Sequence, residues 1–327
     1  MLPRAAAEHY QGQRRIMAAA LSVARRLWGV RPPGDFEVKF DEIAPRLVAA
    51  VVAAQARAVT GADEYTSAVL DELGTPVAPV AAVSTAPLIG VASDGRELDS
   101  LMYGAVIHAK GAIARGNAPA AAWEAGRSAL LMRVQTQVAD ASRQAVGLSV
   151  ASRPGVGSVR MLNPPSCARC AVLAGRFYRF NAGFRRHPGC DCRAIPSTEA
   201  TAGDLTVDPR SYFDSLTEVE QSKIFTAAGA EAIRSGADVA QVVNARRGMY
   251  TTVAYGRQVL ATHEGITRRG LAYQSMSQAT YVRKAAELKS GRYRSLRAPR
   301  VMPETLQLIA ESRDDYLRLL KLYGYIQ

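Results

Sequence analysis

Long apolar runs are missing from this sequence of 327 residues. A membrane-spanning helix needs about 18 consecutive apolar residues, and the two most apolar stretches fall short of that. Residues 43–59 contain Arg46 and Gln55, and residues 76–91 contain prolines. The sequence therefore predicts a protein that is made in the cytosol and has no contact with a membrane.

Histidine is scarce, and the catalytic motifs that depend on it are incomplete. A zinc-protease helix needs H-E-x-x-H, but after His263-Glu264 the second histidine position holds Thr267. A zinc deaminase needs a glutamate two residues after its histidine, which neither His9 nor His108 has. A glycine-rich phosphate loop and a G-x-S-x-G turn are also missing. The sequence predicts that the protein is not an enzyme.

Acidic residues are almost missing from residues 246–300, where only Glu264 and Glu287 oppose twelve lysines and arginines. Residues 1–150, by contrast, carry 15 basic and 14 acidic residues. Positive charges that no acidic residues balance repel each other unless an anion is near. The phosphate groups of nucleic acids are a common anionic partner, and such binding depends on salt. A solvated face, or a patch that docks on an acidic protein, is the alternative. The predicted nucleic-acid contacts are Arg246, Arg247, Arg268, Arg269, Arg283, Lys284, Arg292, Arg294, Arg297 and Arg300.

Cysteine is scarce too, but its four residues form two tight pairs. Cys167 and Cys170 make a C-x2-C turn, and His187-Pro188 stands shortly before Cys190 and Cys192. A C-x2-C turn can direct two thiolates at one point, and a second pair completes a tetrahedral zinc site. On an extended strand, residues i and i+2 lie about 6.5 Å apart, too far for two sulfurs on one zinc. The second pair must therefore turn, or His187 must replace one of its cysteines.

The sequence leaves three states of these thiols open. The predicted metal ligands are Cys167, Cys170, His187, Cys190 and Cys192, and the metal would be a structural zinc. The same residues could instead form two disulfides that staple one hairpin, without a metal, or remain four free thiols. A cytosolic setting favours the metal and an extracellular particle favours the disulfides.

The N-terminal half is rich in alanine and poor in aromatic residues, which favours long helices packed closely on each other or on a partner. Asp41 is a candidate N-cap for the second helix. A Pro-rich connector at residues 74–94 is expected to lie on a surface. Apolar residues at helical spacing predict helices over residues 1–29, from 36 or 41 to 59, and over 97–115 and 120–146.

The cysteine region and the C-terminal part contain shorter elements. Strands are expected at residues 159–162 and 176–180, with a helical turn between them. Thr217 and Glu220 form a capping box for a helix that runs to Arg234. Further helices are predicted over residues 238–246 and 277–288, and one last helix from Pro303 to Gly324. The expected fold is mainly α, with a helical region 1–152, a Cys-rich α+β hairpin module 153–200 and a basic helical region 201–327.

The cysteine block resembles a known signature. The order N-P-P-S-C-A-R-C, L-A-G-R-F-Y and R-H-P-G-C-D-C-R-A-I-P, up to Pro196, is similar to that of the phage Mu F-like (MuF) minor head proteins. A second block, from SYFDSLTEVEQSKIF to VVNARRGM, with T-R-R-G at Thr267–Gly270 and the terminal MPETL and YGYIQ, resembles the version found in phages of actinobacteria. Together the two blocks cover residues 155–327.

The resemblance implies a structural role without enzymatic activity. It implies a minor capsid protein, in several copies per particle, made in the host cytoplasm and bound near the portal inside the head. Its partners would be the portal protein, the capsid proteins and packaged double-stranded DNA. Residues 1–152 would then dock on the portal or capsid. Two rivals remain: a MuF module fused to a C-terminal enzyme or toxin domain, and a stand-alone zinc-stabilised DNA-binding protein.

Overall fold

A computed structural model describes residues 2–162, 166–181, 190, 192–205, 208–278, 288–290, 293–296 and 298–326. The fold is mainly α-helical, with a small sheet at the cysteines, as predicted. Backbone contacts divide the chain into two compact units. The first contains Met1–Asn163 and Gly175–Thr206, and the second contains Pro164–Ala174 and Val207–Gln327.

The first unit begins with a helical bundle. The side chain of Asp35 accepts hydrogen bonds from the backbone N–H groups of Glu37 and Val38 and so caps the second helix. The helix begins at Phe36, the earlier of the two predicted starts, so the prediction of Asp41 as its cap was wrong. The bundle helices are α1 (Arg4–Trp28), α2 (Phe36–Val59), α3 (Ala62–Glu72), α4 (Leu98–Ala114) and α5 (Pro119–Ala151).

Small residues let the bundle helices approach closely. Trp28 of α1 stacks on Trp123 of α5 with ring centroids 4.0 Å apart. A Cβ atom at Gly126 would lie 2.8 Å from the Trp28 ring and 2.9 Å from the Cβ of Ala109, so only glycine fits there. Removing a buried tryptophan from such a core typically costs about 3–5 kcal/mol. This agrees with the close helix packing expected from the alanine-rich composition.

The connector that follows α3 lies on the bundle, and two glutamines bind its backbone. Gln55 donates to the carbonyl oxygen of Val91 and accepts from the N–H of Gly90. Gln137 accepts from the N–H of Ser93 at 2.6 Å. The segment Phe36–Glu72 has the length and hydropathy of a membrane span, but the apolar stripe of α2 packs in the bundle core, as in an ordinary core helix.

A three-stranded antiparallel sheet follows the bundle. It is formed by β1 (Val156–Met161), β2 (Phe177–Arg179) and β3 (Arg193–Thr198), with β1 in the centre. Val159 of β1 pairs with Phe177 on one side and with Ile195 on the other. The sequence predicted β1 and β2 to within three residues, but it did not predict β3, whose Pro196 interrupts the strand pattern.

The second unit contains short helices. The capping box at Thr217 and Glu220 is present as predicted. The predicted single helix to Arg234 is instead broken at Thr226, which has a φ of 69° and caps the next helix through its hydroxyl. The helices are α6 (Ala168–Leu173), α7 (Pro209–Asp214), α8 (Glu218–Phe225), α9 (Ala227–Arg234), α10 (Val239–Ala245), α11 (Leu271–Ser277), α12 (Pro303–Ile309) and α13 (Arg313–Leu322).

Strands interrupt these helices where the sequence predicted none. The hairpin of β4 (Met249–Ala254) and β5 (Arg257–Thr262) turns at Tyr255 and Gly256, which have φ values of 53° and 69°. Two positive φ values in a two-residue loop match the right-handed twist of the strands. The remaining strands are β6 (Leu288–Ser290), β7 (Tyr293–Ser295) and β8 (Arg300–Val301). The helix predicted at 277–288 falls mostly outside the described residues.

Candidate metal centre

The first cysteine pair lies at the start of α6. The Sγ atoms of Cys167 and Cys170 are 3.4 Å apart, much farther than the roughly 2.05 Å of a disulfide. Two sulfur ligands of a tetrahedral zinc, each at about 2.3 Å, lie about 3.8 Å apart. The pair therefore has nearly the spacing of two ligands on one metal ion.

A buried tyrosine fixes the backbone in front of this pair. The hydroxyl of Tyr212 accepts a hydrogen bond from the N–H of Ser166 at 2.8 Å and donates one to its carbonyl oxygen at 2.9 Å. Burial raises the pKa of the Tyr212 phenol, so it stays protonated and can keep donating. Tyr212 is thus an anchor for the C-x2-C turn that sequence reasoning missed.

The second cysteine pair directly precedes β3. Cys190 and Cys192 are buried, and neither forms a disulfide. The guanidinium of Arg160, 2% exposed, places its Nη2 atom 3.9 Å from the Sγ of Cys190. Arg143 donates to the carbonyl oxygen of Cys190 and pairs with Asp140 at 2.9 Å. One arginine thus contacts the sulfur, and the other holds the backbone.

Three buried cysteines, Cys170, Cys190 and Cys192, could hold a metal ion, since their sulfur atoms lie within 4.8 Å of one another. This separation also shows that Cys190 and Cys192 do not have the wide spacing of an extended strand, as the sequence argument required. None of the four cysteines forms a disulfide, so the structure does not show the alternative of two disulfides. The donor set consists of soft sulfur atoms, which suit zinc and similar metals.

The charge of such a site is balanced by its surroundings. A divalent ion with three thiolates carries a net charge of about −1, and burying that charge without a partner is costly. The guanidinium of Arg160, itself buried, supplies a positive charge beside Cys190. A basic residue inside a short strand is the only sequence signal that could have pointed to Arg160. His187, the remaining predicted ligand, lies outside the described residues.

The predicted nucleic-acid contacts fall into three groups. Arg247, Arg268 and Arg269 are exposed, as a contact with phosphate requires. Arg294 belongs to strand β7. Arg283, Lys284, Arg292 and Arg297 lie outside the described residues.

Arg300 and Arg246 have structural partners instead. Arg300 is 1% exposed and donates to the carbonyl oxygens of Tyr323, Gly324 and Glu264. Burial lowers the pKa of its guanidinium. Arg246 pairs with Glu304 and donates to the hydroxyl of Thr226. The prediction of Arg300 as a phosphate contact was wrong, because its N–H groups already donate to carbonyl oxygens inside the protein. The charge of Arg246 is balanced by Glu304.

Comparisons of the chain with protein-family models, with curated proteins and with solved structures found no match.

Proposed function

We propose that this chain is a minor head protein of a phage, similar to the MuF proteins, in which a structural metal site stabilises the Cys-rich module. The observation that carries the proposal is the set of four cysteines that form no disulfide, three of them buried and close together. They stand in the order C-x2-C, H-P-x-C-x-C on which the resemblance rests. Four thiolate ligands are typical of structural zinc sites, and with Cys167 as the fourth ligand the proposed role is structural rather than catalytic.

The metal that fits best is zinc, with Cys170, Cys190 and Cys192 as three ligands. Cys167 is the fourth ligand in this proposal, since its sulfur is already 3.4 Å from that of Cys170. The protein purified from cytosol should contain one zinc ion per chain. Cys170→Ser should lose the metal and Cys167→Ser should weaken its binding, while His187→Ala should retain it. Full retention in Cys167→Ser and loss in His187→Ala would give the fourth position to His187.

The location can be tested on particles of the phage that encodes the chain. An antibody against the protein should detect it in purified virions, in complexes that contain the portal, and in several copies per particle. A protein that is abundant in infected cells but absent from virions would overturn the proposal. That outcome would favour a stand-alone zinc-stabilised DNA-binding protein. A catalytic activity of residues 201–327 would favour the rival with a C-terminal enzyme or toxin domain.

Contact with packaged double-stranded DNA is the second part of the proposal. The exposed Arg247, Arg268 and Arg269 carry it, because exposed guanidinium groups neutralise phosphates without reading the base sequence. DNA binding should therefore weaken steeply with added salt. Binding that is insensitive to salt would contradict this part of the proposal and leave the metal site unaffected.

A further inference from the structure

The first unit contains a cavity of about 120 Å³ that the proposed role does not use. Helices α1 and α5 and the start of β3 form its wall, which is mostly apolar. For comparison, an apolar protein cavity of about 150 Å³ takes up benzene. The space therefore suits a planar group of about the size of a single aromatic ring.

Flat rings line one side of the cavity. His9 stacks on Tyr65 with ring centroids 4.0 Å apart, and the hydroxyl of Tyr65 donates to the carbonyl oxygen of Ala194 at 3.2 Å. That hydrogen bond holds the Tyr65 ring in place, and the stack holds His9 against it. Fixed rings of this kind offer a planar ligand a ready surface for stacking.

Positive charge lies beside these rings. Arg193 places its guanidinium carbon 3.7 Å from the centroid of the Tyr10 ring and donates to the carbonyl oxygen of Ala6. Its charge helps to lower the pKa of His9, after the larger effect of burial. Arg143 also lines the cavity, although Asp140 balances its charge. Arginine recognises a carboxylate better than any other side chain, because its N–H groups match the two oxygens.

We propose that this cavity binds a small aromatic carboxylate, with the ring against His9 and Tyr65 and the carboxylate beside Arg193. A ligand pocket typically combines an apolar wall with a few polar groups that orient the ligand, and this cavity has both. The cavity adjoins the candidate metal centre, because Cys190 and Cys192 also line it. The proposed ligand contacts neither thiol, so its binding is a function additional to the proposed role in a phage head.

The test uses benzoate as the probe and the full-length protein. Ligand-observed NMR titrations at pH 7 and low salt should show saturable binding, with a Kd on the order of 1 mM or tighter. Benzamide has the same shape without the charge, and acetate has the charge without the ring. Both should bind at least about tenfold more weakly, because each lacks one of the two contacts. Equal binding of benzoate and benzamide would overturn the proposal. So would the absence of detectable benzoate binding at the highest concentration that can be tested.

Two variants locate the site. Arg193→Gln should weaken benzoate binding about tenfold or more, while Arg25→Gln, an exposed arginine on α1, should not. Ala139→Leu should block the cavity by adding volume to its wall. The same change at Ala125, which lies nearer the start of α5 and does not line the cavity, should have no effect. If Arg193→Gln fails to fold, Ala139→Leu still tests whether benzoate binds in this cavity. Benzoate binding unchanged by Ala139→Leu would show that the ligand sits elsewhere.

Discussion

The guanidinium of Arg160 lies 3.9 Å from the sulfur of Cys190, and both side chains are buried. This contact places a fixed positive charge next to a candidate metal ligand. A thiolate is favoured over a thiol beside a cation, and a metal ion binds the thiolate. Arg160 should therefore matter for metal affinity although it binds no metal itself.

Arg160→Gln should weaken zinc binding by about 10–100-fold, the usual effect of losing a group that supports a metal ligand. Competition with a chromophoric chelator would measure it. Arg179→Gln is the matched control, because it removes the same charge from an exposed position of the same sheet. An equal loss in both variants would mean that only the overall charge matters and that the contact with Cys190 has no specific role.

Tyr212→Phe should make the C-x2-C turn less rigid, since the two hydrogen bonds to Ser166 disappear. The expected cost is about 1–2 kcal/mol of folding free energy, together with faster exchange of bound zinc. Tyr103→Phe is the control, because its hydroxyl also loses a hydrogen bond, to Glu37, far along the chain from the thiols. Denaturant unfolding and zinc exchange should separate the two variants. Identical zinc exchange in both would exclude an anchoring role for Tyr212.

Asp63→Asn should destabilise the bundle by about 1–2 kcal/mol, because the buried Arg153 loses its ion partner, although solvent screens the half-exposed carboxylate. Arg153 is fully buried and donates to the Asp63 carboxylate at 2.7 Å. The same contact lowers the pKa of Asp63. Asp71→Asn, an exposed position on the same helix, should change stability by less than about 0.5 kcal/mol. Urea denaturation would measure both variants, and equal unfolding midpoints would contradict the prediction.

The triple change of Arg247, Arg268 and Arg269 to Gln should weaken binding to double-stranded DNA and flatten its salt dependence. Each lost phosphate contact should reduce the slope of log K against log salt by about 0.9. The control changes three exposed arginines of α1, Arg15, Arg25 and Arg26, to Gln and so removes the same total charge. Fluorescence anisotropy at several salt concentrations would compare them. A control that weakens binding equally would refute a specific DNA-facing surface.

His9 should make stability depend on pH below neutrality. Burial, and secondarily the charge of Arg193, lower the pKa of His9 from 6.5 to about 4. Between these values the unfolded chain binds a proton that the folded chain does not, so stability falls as the pH drops through 6.5 towards 4. The loss should be on the order of 2 kcal/mol.

His9→Gln should abolish this part of the pH dependence, whereas His108→Gln, at an exposed position, should keep it. Urea midpoints measured from pH 7 to pH 4 would test both. All three proteins retain the cysteines, so any acid release of metal is common to the three curves. Parallel curves for the wild type and His9→Gln would contradict the prediction.

Local signals in the sequence predicted much of the secondary structure. The capping box at Thr217 and Glu220 involves residues three apart, so neighbouring side chains are enough to form it. Pro303 likewise lies in the first turn of its helix, as predicted. The single helix predicted from there to Gly324 was wrong, because the chain forms two helices, Pro303–Ile309 and Arg313–Leu322. The β4–β5 hairpin was missed, although its Tyr255-Gly256 turn between two β-branched stretches was a usable signal. Along β4, exposure alternates from residue to residue but hydrophobicity does not, so the sequence lacks the alternating pattern that predicts a strand.

The sequence by itself determined the helical class, the close packing of alanine-rich helices and the chemistry of the paired thiols, because composition and short spacings carry that information. Tertiary structure alone decided which of the cysteines come close together, that Arg160 lies beside Cys190, and that Arg300 is buried while Arg268 is exposed. The physical reason is that the burial of a charge depends on contacts between residues distant in the chain. Arg300 bonds to carbonyl oxygens 23 and 24 residues away, and no local pattern reports that.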